Sequence, residues 1–217
     1  MKSKSVLLIG LGRFGTQIAR KLYDLNHKVM AIDSREERVQ AVSSFVEVAQ
    51  TGDTTDEEVL RSLGVDNYDL CIVSIADDFK SSLITTSRLK ELGAQYVVAR
   101  ASDDIHEKLL KDNGADEVVY PEKQFADWTA IRYTSEHVLD YIELDDGYSI
   151  FEVNVPEKWV DKSIIELDVR KKHNINIIAI TVNGKMNMAV TPDTVLTKEN
   201  TVFVAGRYED IKKCFKL

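Results

Sequence analysis

The chain is 217 residues long, 44% hydrophobic, and carries a formal net charge of −8 with a pI near 5.1. That length suits one nucleotide-type fold plus a small appendage rather than two full enzyme domains. The acidic balance argues against nucleic acid or an anionic membrane surface as the main partner, because either would want a basic face.

Val6–Ile9 reads as a buried strand, and Gly10-Leu11-Gly12-Arg13-Phe14-Gly15 supplies G-x-G-x-x-G ahead of helical spacing over Thr16–Leu25. Gly10 permits the tight strand-to-helix turn, Gly12 lets the backbone approach a pyrophosphate, and Gly15 allows close helix–strand packing. Phosphates would then sit on the free N–H groups and positive dipole of the helix start. Arg13, inside this loop, can reach past a pyrophosphate toward a third phosphate, which shifts weight toward ADP and ATP; a ligand-free surface arginine is the alternative.

Asp33 ends a second apolar strand, Lys28–Ile32, 18 positions after Gly15. A carboxylate there accepts both hydroxyls of an adenosine ribose and repels a 2′-phosphate, which disfavours NADP. With Ser34, Arg35, Glu36 and Glu37 behind it, Asp33 also reads as the start of a helix. Glycine loop and Asp33 serve ATP, ADP and NAD alike.

Further strands are expected near 45–49, 69–74, 96–100 and 117–120, and helices near 15–25, 35–43, 55–62, 79–91 and 104–112, with Gly64, Gly93 and Gly114 as left-handed helix ends. The alternation predicts an α/β, doubly wound parallel sheet of Rossmann type over residues 1–122. The loops after its strands hold candidate ligand holders: Asp53-Thr54, Ile75-Ala76-Asp77, Arg100-Ala101-Ser102 and Glu122. Asp53 can meet adenine's amino group or cap the next helix, Arg100 can meet phosphate, and Glu122 can hold a divalent cation such as Mg or Ca. His106 opens the helix after the fifth strand, as either a solvated residue or an acid beside the ligand.

Beyond Pro121, residues 123–142 read as one long crossover helix, with Phe125, Trp128, Ile131, Val138 and Ile142 as an apolar stripe. That stripe could pack on its own domain or on a second subunit. Residues 143–217 read as a small α+β domain: strands over Tyr148–Val155, Ile175–Val182 and Thr201–Ala205, helices over Ser163–Lys172 and Tyr208–Phe215, and a hairpin at Val182-Asn183-Gly184-Lys185. No apolar run approaches the length of about 18 residues that a membrane span requires, and no leader precedes the first strand, so a cytosolic protein is expected. Cys71 and Cys214 form no C-x-x-C, which excludes a disulfide framework and argues against zinc.

An NAD-dependent oxidoreductase with an unrecognised catalytic group is the first competitor for such a fold. The expected acid or base is missing: Tyr208…Lys212 is far in sequence from the sheet, and His27, His106, His137 and His173 show no metal-ligand spacing. A transcription regulator would need a basic DNA-reading helix, which the acidic balance disfavours.

Gly-Leu-Gly-Arg-Phe-Gly at 10–15, Ile32-Asp33, Gly-Ala-Asp followed by Pro121-Glu122-Lys123, and Val138-Leu139-Asp140-Tyr141 together resemble the RCK-domain regulatory subunits of Ktr/Trk-type bacterial potassium uptake systems. The resemblance covers nearly the whole chain. It implies a non-enzymatic gating ring: cytosolic subunits that dimerise, assemble into an octamer, and sit beneath a membrane-embedded potassium-translocating subunit. It further implies Arg13 on the terminal phosphate, Asp33 on the ribose, Asp53-Thr54 on the adenine side, and Ile75–Asp77, Arg100–Ser102 and His106 around the remaining pocket. Glu122 would help bind a cation at the subunit interface. The C-terminal part resembles the family's small module, which in several members binds cyclic di-AMP between two copies. Here Arg170 would pair a phosphate, with Asn176 in the matching stretch, and Ile164, Ile175 and Pro192 would floor the adenine or else form the domain's own core. Thr181 and Asn183 stand where members often carry basic residues.

Overall fold

The computed structural model describes residues 2–217, with backbone only for Asp145. They form two compact units divided between Glu122 and Lys123.

The first unit alternates β1 (Ser5–Ile9), α1 (Arg13–Asp24), β2 (Lys28–Asp33), α2 (Glu36–Val42), β3 (Val48–Thr51), α3 (Glu57–Leu63), β4 (Leu70–Val73), α4 (Phe79–Glu91), β5 (Val97–Arg100), α5 (Asp104–Asp112) and β6 (Glu117–Val119). The strands form one parallel sheet in the order β3-β2-β1-β4-β5-β6. β1 is central, with Leu7 opposite both Met30 and Cys71. Strand alternation sends Leu7 and Ile9 into the core shared with Leu60, Val73 and Leu89, and Leu8 into the one shared with Ala19, Val39 and Val42. The chain winds outward in opposite directions from β1 and β4, so their C-terminal ends bound a crevice at the topological switch point. α4 lies against the sheet through Ser82, Thr85, Thr86 and Leu89, all fully buried.

Gly64, Gly93 and Gly114 have φ of +62°, +87° and +95° at their helix ends, as the spacing requires. The third strand lies later than the apolar run at 45–49 suggests. It is a sheet edge with Val48 half exposed, whereas Phe45 and Val46 pack beneath it against the α1–α2 side.

α6 (Pro121–Thr134) begins in the last two residues of the first unit. The second unit continues with β7 (Val138–Glu143), β8 (Tyr148–Asn154), α7 (Ile164–Leu167), α8 (Val169–His173), β9 (Asn176–Val182), β10 (Lys185–Asn187), β11 (Thr201–Arg207) and α9 (Tyr208–Phe215). Its antiparallel sheet runs β10-β9-β11-β8-β7. Phe151, Val153, Ile175, Val202, Val204 and Ile211 form the core, against which Trp128 and Ile131 of α6 pack. The Asn183-Gly184 hairpin forms as read, with φ of +50° and +72° and Val182 paired to Lys185.

Two expectations are corrected here. The crossover helix stops at Thr134, and residues 138–143 form a strand. A bulge at Leu139 leaves Val138 opposite Val153 and Tyr141 opposite Phe151; of the two strand residues counted in the stripe, Val138 is buried and Ile142 is exposed, so their four-residue spacing marks no common face. The helix expected over 163–172 is broken at Asp168, whose φ is +46°.

Candidate functional site

The turn from β1 into α1 is built on glycine. Gly10 holds φ +89° and donates its N–H to the Ile32 carbonyl at 2.9 Å. A methyl at Gly15 would stand 2.0 Å from the Gly10 carbonyl oxygen, so α1 approaches the strand as closely as its backbone allows. α1 opens with Gly12 as N-cap, with no side-chain cap and no acidic residue in its first turn. Its first amide paired within the helix is that of Thr16, bonded to the Gly12 carbonyl at 2.9 Å. The start of the helix thus presents uncompensated N–H groups and the positive end of the dipole.

Asp33 anchors this loop from β2. Its carboxylate is almost wholly buried and accepts the Leu11 N–H at 2.6 Å on Oδ2 and the Arg35 N–H at 2.9 Å on Oδ1, with Arg38 Nη1 at 3.4 Å from Oδ2. A carboxylate offers about four acceptor sites. Leu11 and Arg35 use two and Arg38 draws weakly on a third, so a ribose diol could engage Asp33 fully only by displacing Arg38. The N-cap of α2 is Arg35, so the capping alternative for Asp33 does not hold in its simple form.

Over the switch point lies a cleft of about 640 Å³, a size that accommodates a nucleotide. Of the residues singled out from sequence, Gly10, Gly12, Arg13, Phe14, Asp33, Ser34, Arg35, Asp53, Thr54, Ile75, Ala76, Asp77, Arg100 and Glu122 line it. Asp53 does not cap α3, a role that falls to Asp56; its carboxylate instead holds the Thr55 N–H and hydroxyl at 2.8 and 2.7 Å. Thr54 is buried and bonded to the Thr85 hydroxyl at 2.9 Å.

Five of the expected residues do not line the cleft. Leu11 is buried and contributes through its backbone N–H, and Gly15 acts by packing. Ala101 is fully buried, and Ser102 and His106 turn to each other. His106 is neither solvated nor poised as an acid. It is fully buried against the Phe79 ring, takes the Ser102 N–H on Nδ1 at 3.3 Å, and faces the Ser82 hydroxyl with Nε2 at 3.2 Å. Burial pushes its pKa below the usual histidine value, against the opposing pull of Asp103.

Sequence reasoning missed Gln17, Arg38, Ser74, Asp78 and Ser81, all on the lining. Arg38 stands one turn after Arg35 on α2, a spacing that could have flagged it. Asp78 and Ser81 are a helix-capping pair: Asp78 takes the Ser81 hydroxyl at 2.6 Å and its N–H at 3.0 Å, which holds its carboxyl below the usual range.

Charges in the cleft are partly self-cancelling. Arg38 leans on Asp33, and Arg100 pairs with Glu122 while its guanidinium lies 5.1 Å from the Phe14 ring centre. Arg13 and Arg35 carry no ion pair among the described residues. Two buried polar atoms of lining residues, Ser74 Oγ and Arg100 Nε, have no hydrogen-bond partner there either. No grouping of three His, Cys, Asp or Glu side chains that could hold a metal occurs among the described residues, and Glu122 is engaged by Arg100.

In the second unit the structure brings together two of the expected residues, Arg170 and Asn176, but not the adenine floor. The Ile164 N–H bonds the Thr194 carbonyl at 3.1 Å and the Ile165 N–H bonds the Pro192 carbonyl at 2.9 Å, so it is Ile165, not Ile164, that is tied to Pro192. Arg170 donates to Asn176 Oδ1 at 2.6 Å. Ile175 is fully buried in the core, so it forms no ligand floor.

Fold and cleft together define a Rossmann-type domain with a nucleotide-sized cleft, carried with a small α+β module. Residues 6–121 match the TrkA-N domain and residues 148–217 the TrkA-C domain. The chain is 37% identical over 213 residues to the Ktr system potassium uptake protein A of Bacillus subtilis (strain 168), covering 98% of this chain and 96% of that protein. It is likewise 37% identical over 210 residues to protein C of the same system, covering 97% and 95%. Among solved structures, the GsuK channel bound to NAD superposes with a TM-score of 0.69 at 21% identity, covering 96% of this chain. GsuK bound to ADP gives 0.55 at 20% identity, covering 62% of this chain. The chain spans 38% and 36% of those two solved chains. The chain belongs to the TrkA-N/TrkA-C (RCK) family and is a KtrA/KtrC-like potassium-uptake regulatory protein, not a member of an enzyme family. The oxidoreductase reading is thereby set aside. Among the described residues, no helix is long and apolar enough to cross a membrane.

Proposed function

We propose that this protein is a nucleotide-sensing subunit that gates a membrane-embedded potassium-translocating partner, with ATP and ADP as the opposing ligands. One observation carries the reading: the start of α1, without a side-chain cap, opens into the cleft beside Arg13, a guanidinium with no ion pair among the described residues. Amides and cation together suit a row of phosphates longer than a dinucleotide's pyrophosphate. Ser34 and Arg35 flank the ribose end, and Asp53, Thr54, Ile75, Ala76 and Asp77 flank the base. NAD, which the GsuK channel binds, uses the same loop and ribose carboxylate and is the competing ligand.

A ligand can shift a conformational equilibrium only by its differential affinity for the two states. In an octameric ring of dimers, a terminal phosphate reached by Arg13 supplies that difference, and a divalent cation at Glu122 would add to it. In the small module, Arg170, Asn176, Ile164 and Pro192 offer a phosphate and adenine site for cyclic di-AMP shared with a second copy. That secondary reading must do without Ile175 and without a preformed adenine floor.

Calorimetric titration of nucleotide-stripped protein with ATP, ADP and NADH, with light scattering for mass, tests the proposal. Micromolar binding of ATP and ADP by a particle near eight chains is the expected result. Preferential NADH binding by a monomer or dimer overturns it.

A further inference from the structure

Two Asn-Gly steps occur in this chain, Asn113-Gly114 and Asn183-Gly184, and the fold treats them in opposite ways. Asn113 ends α5. Its Nδ2 donates to the Leu109 carbonyl at 2.7 Å, and the Gly114 N–H donates to the Lys111 carbonyl at 3.1 Å. A methyl at Gly114 would meet Lys90 Cγ at 3.0 Å, so this step is held on every side. Asn183 and Gly184 are instead the central residues of the β9–β10 hairpin, both exposed, with φ of +50° and +72°. Neither the Asn183 side chain nor the Gly184 N–H has a hydrogen-bond partner among the described residues. Nothing stands within 4 Å of the place a Gly184 Cβ would take.

An asparagine followed by glycine carries its own nucleophile. The backbone nitrogen of Gly184, on losing its proton to hydroxide, can bond to Asn183 Cγ, and glycine leaves that approach unobstructed. The adduct expels the side-chain nitrogen as ammonia, and a five-membered imide remains. Water then opens one of the two bonds that join the imide nitrogen to carbon. Cleavage at Cγ gives aspartate; cleavage at the main-chain carbonyl gives isoaspartate, whose backbone runs through Cβ and Cγ and is one atom longer. The net change is one water taken up and one ammonia released, with no change of oxidation state.

We infer that Asn183 is a deamidation site of this protein and that its isoaspartyl product releases β10 from the sheet. A two-residue loop sets the register of the strands it joins, so an extra backbone atom there displaces Val182 from Lys185. β10 is an edge strand of three residues bound to β9 alone. Residues 182–189 are all exposed, so no buried side chain gives the strand a second anchor. Aspartate suits the same turn as asparagine and would alter only the charge. The inference does not depend on the nucleotide reading.

The test incubates the full chain at mildly alkaline pH, folded and in urea, and follows both Asn-Gly peptides by mass spectrometry, with isoaspartate counted by an isoaspartate-directed methyltransferase. In the folded chain Asn183 should convert at least about tenfold faster than Asn113, whose two hydrogen bonds must open first. In urea the two rates should converge. Amide exchange across residues 181–187 should lose its protection in the isoaspartyl protein and keep it in Asn183→Asp, which carries the charge without the added atom. The inference is overturned if folded Asn183 converts no faster than Asn113, or if the isoaspartyl protein keeps the exchange rates of the starting material across β10.

Discussion

Alanine at Gly12 and alanine at Gly15 should break this protein in different ways. At Gly15 the added methyl would meet the Gly10 carbonyl oxygen at 2.0 Å and Ser74 Oγ at 2.9 Å. Neither neighbour is a flexible tip, so α1 must back away from the sheet by about 1 Å or more in a close-packed core. Overpacking of that kind costs about 3 kcal/mol, which lowers the melting temperature by roughly 10 °C for a unit of this size. Gly12 has φ −66° and ψ −172°, open to any residue, and its methyl would come no closer than 4.0 Å, to Arg38 Nη1. Gly12→Ala should therefore fold with a stability change within about 1 kcal/mol, the cost of a poorer N-cap. The methyl would, however, stand where the proposed phosphates approach the backbone, and a loss of about tenfold or more in ADP affinity, at least 1.4 kcal/mol, is expected. Differential scanning calorimetry without ligand and titration with ADP separate the two effects. If Gly12→Ala binds ADP like wild type, phosphates do not approach over Gly12; if it unfolds as readily as Gly15→Ala, the free space above Gly12 is misread.

Arg13→Ala should weaken ATP more than ADP by roughly tenfold, the value of one charge-assisted contact; equal losses in parallel titrations would remove the terminal-phosphate role. Asp33→Ala strands the Leu11 N–H and should cost about 1–3 kcal/mol in chemical denaturation along with affinity for every adenosine nucleotide, so an unchanged midpoint would count against its anchoring role. His106 sits with a pKa below its ordinary value of 6.5 because burial disfavours its cation. The unfolded chain takes up the proton first, so stability is whole above that value and falls as pH drops through it toward the lower folded pKa. Protonation would also set an Nδ1–H against the Ser102 N–H. Melting curves from pH 7.5 to 5 should show this loss in wild type and a flatter profile in His106→Gln; equal slopes would refute it.

The nucleotide unit was legible because its signals agree. Buried parallel strands read as apolar runs, left-handed helix ends demand glycine, and the G-x-G-x-x-G loop with Asp33 fixes the switch point. Legibility failed where one physical effect imitates another. In β7, Val138 and Ile142 stand four apart like residues on one helix face although only Val138 is buried, and the edge position of β3 displaced it from the apolar run that announced it. The lining beyond the strand ends depended on side-chain direction. Arg38 reaches in from α2, whereas His106 opens α5 at the ligand edge of the sheet yet turns beneath it, toward Ser82. Position along the chain shows neither.

α4 buries three hydroxyl side chains, Ser82, Thr85 and Thr86, beside Leu89; Thr85 is bonded to Thr54 in the loop after β3 and Ser82 to His106 of α5, while the Thr86 hydroxyl has no partner among the described residues. Apolar contacts hold their strength on warming because their heat-capacity term works in their favour, while bonds of this polar kind do not share it. On heating, α4 should be the helix of this unit that slackens earliest. Its N-terminal cap, Asp78 with Ser81, forms part of the cleft wall. The cleft therefore has one wall whose firmness is set by temperature, and ligand affinity should decline on warming faster than the melting of the whole unit would account for.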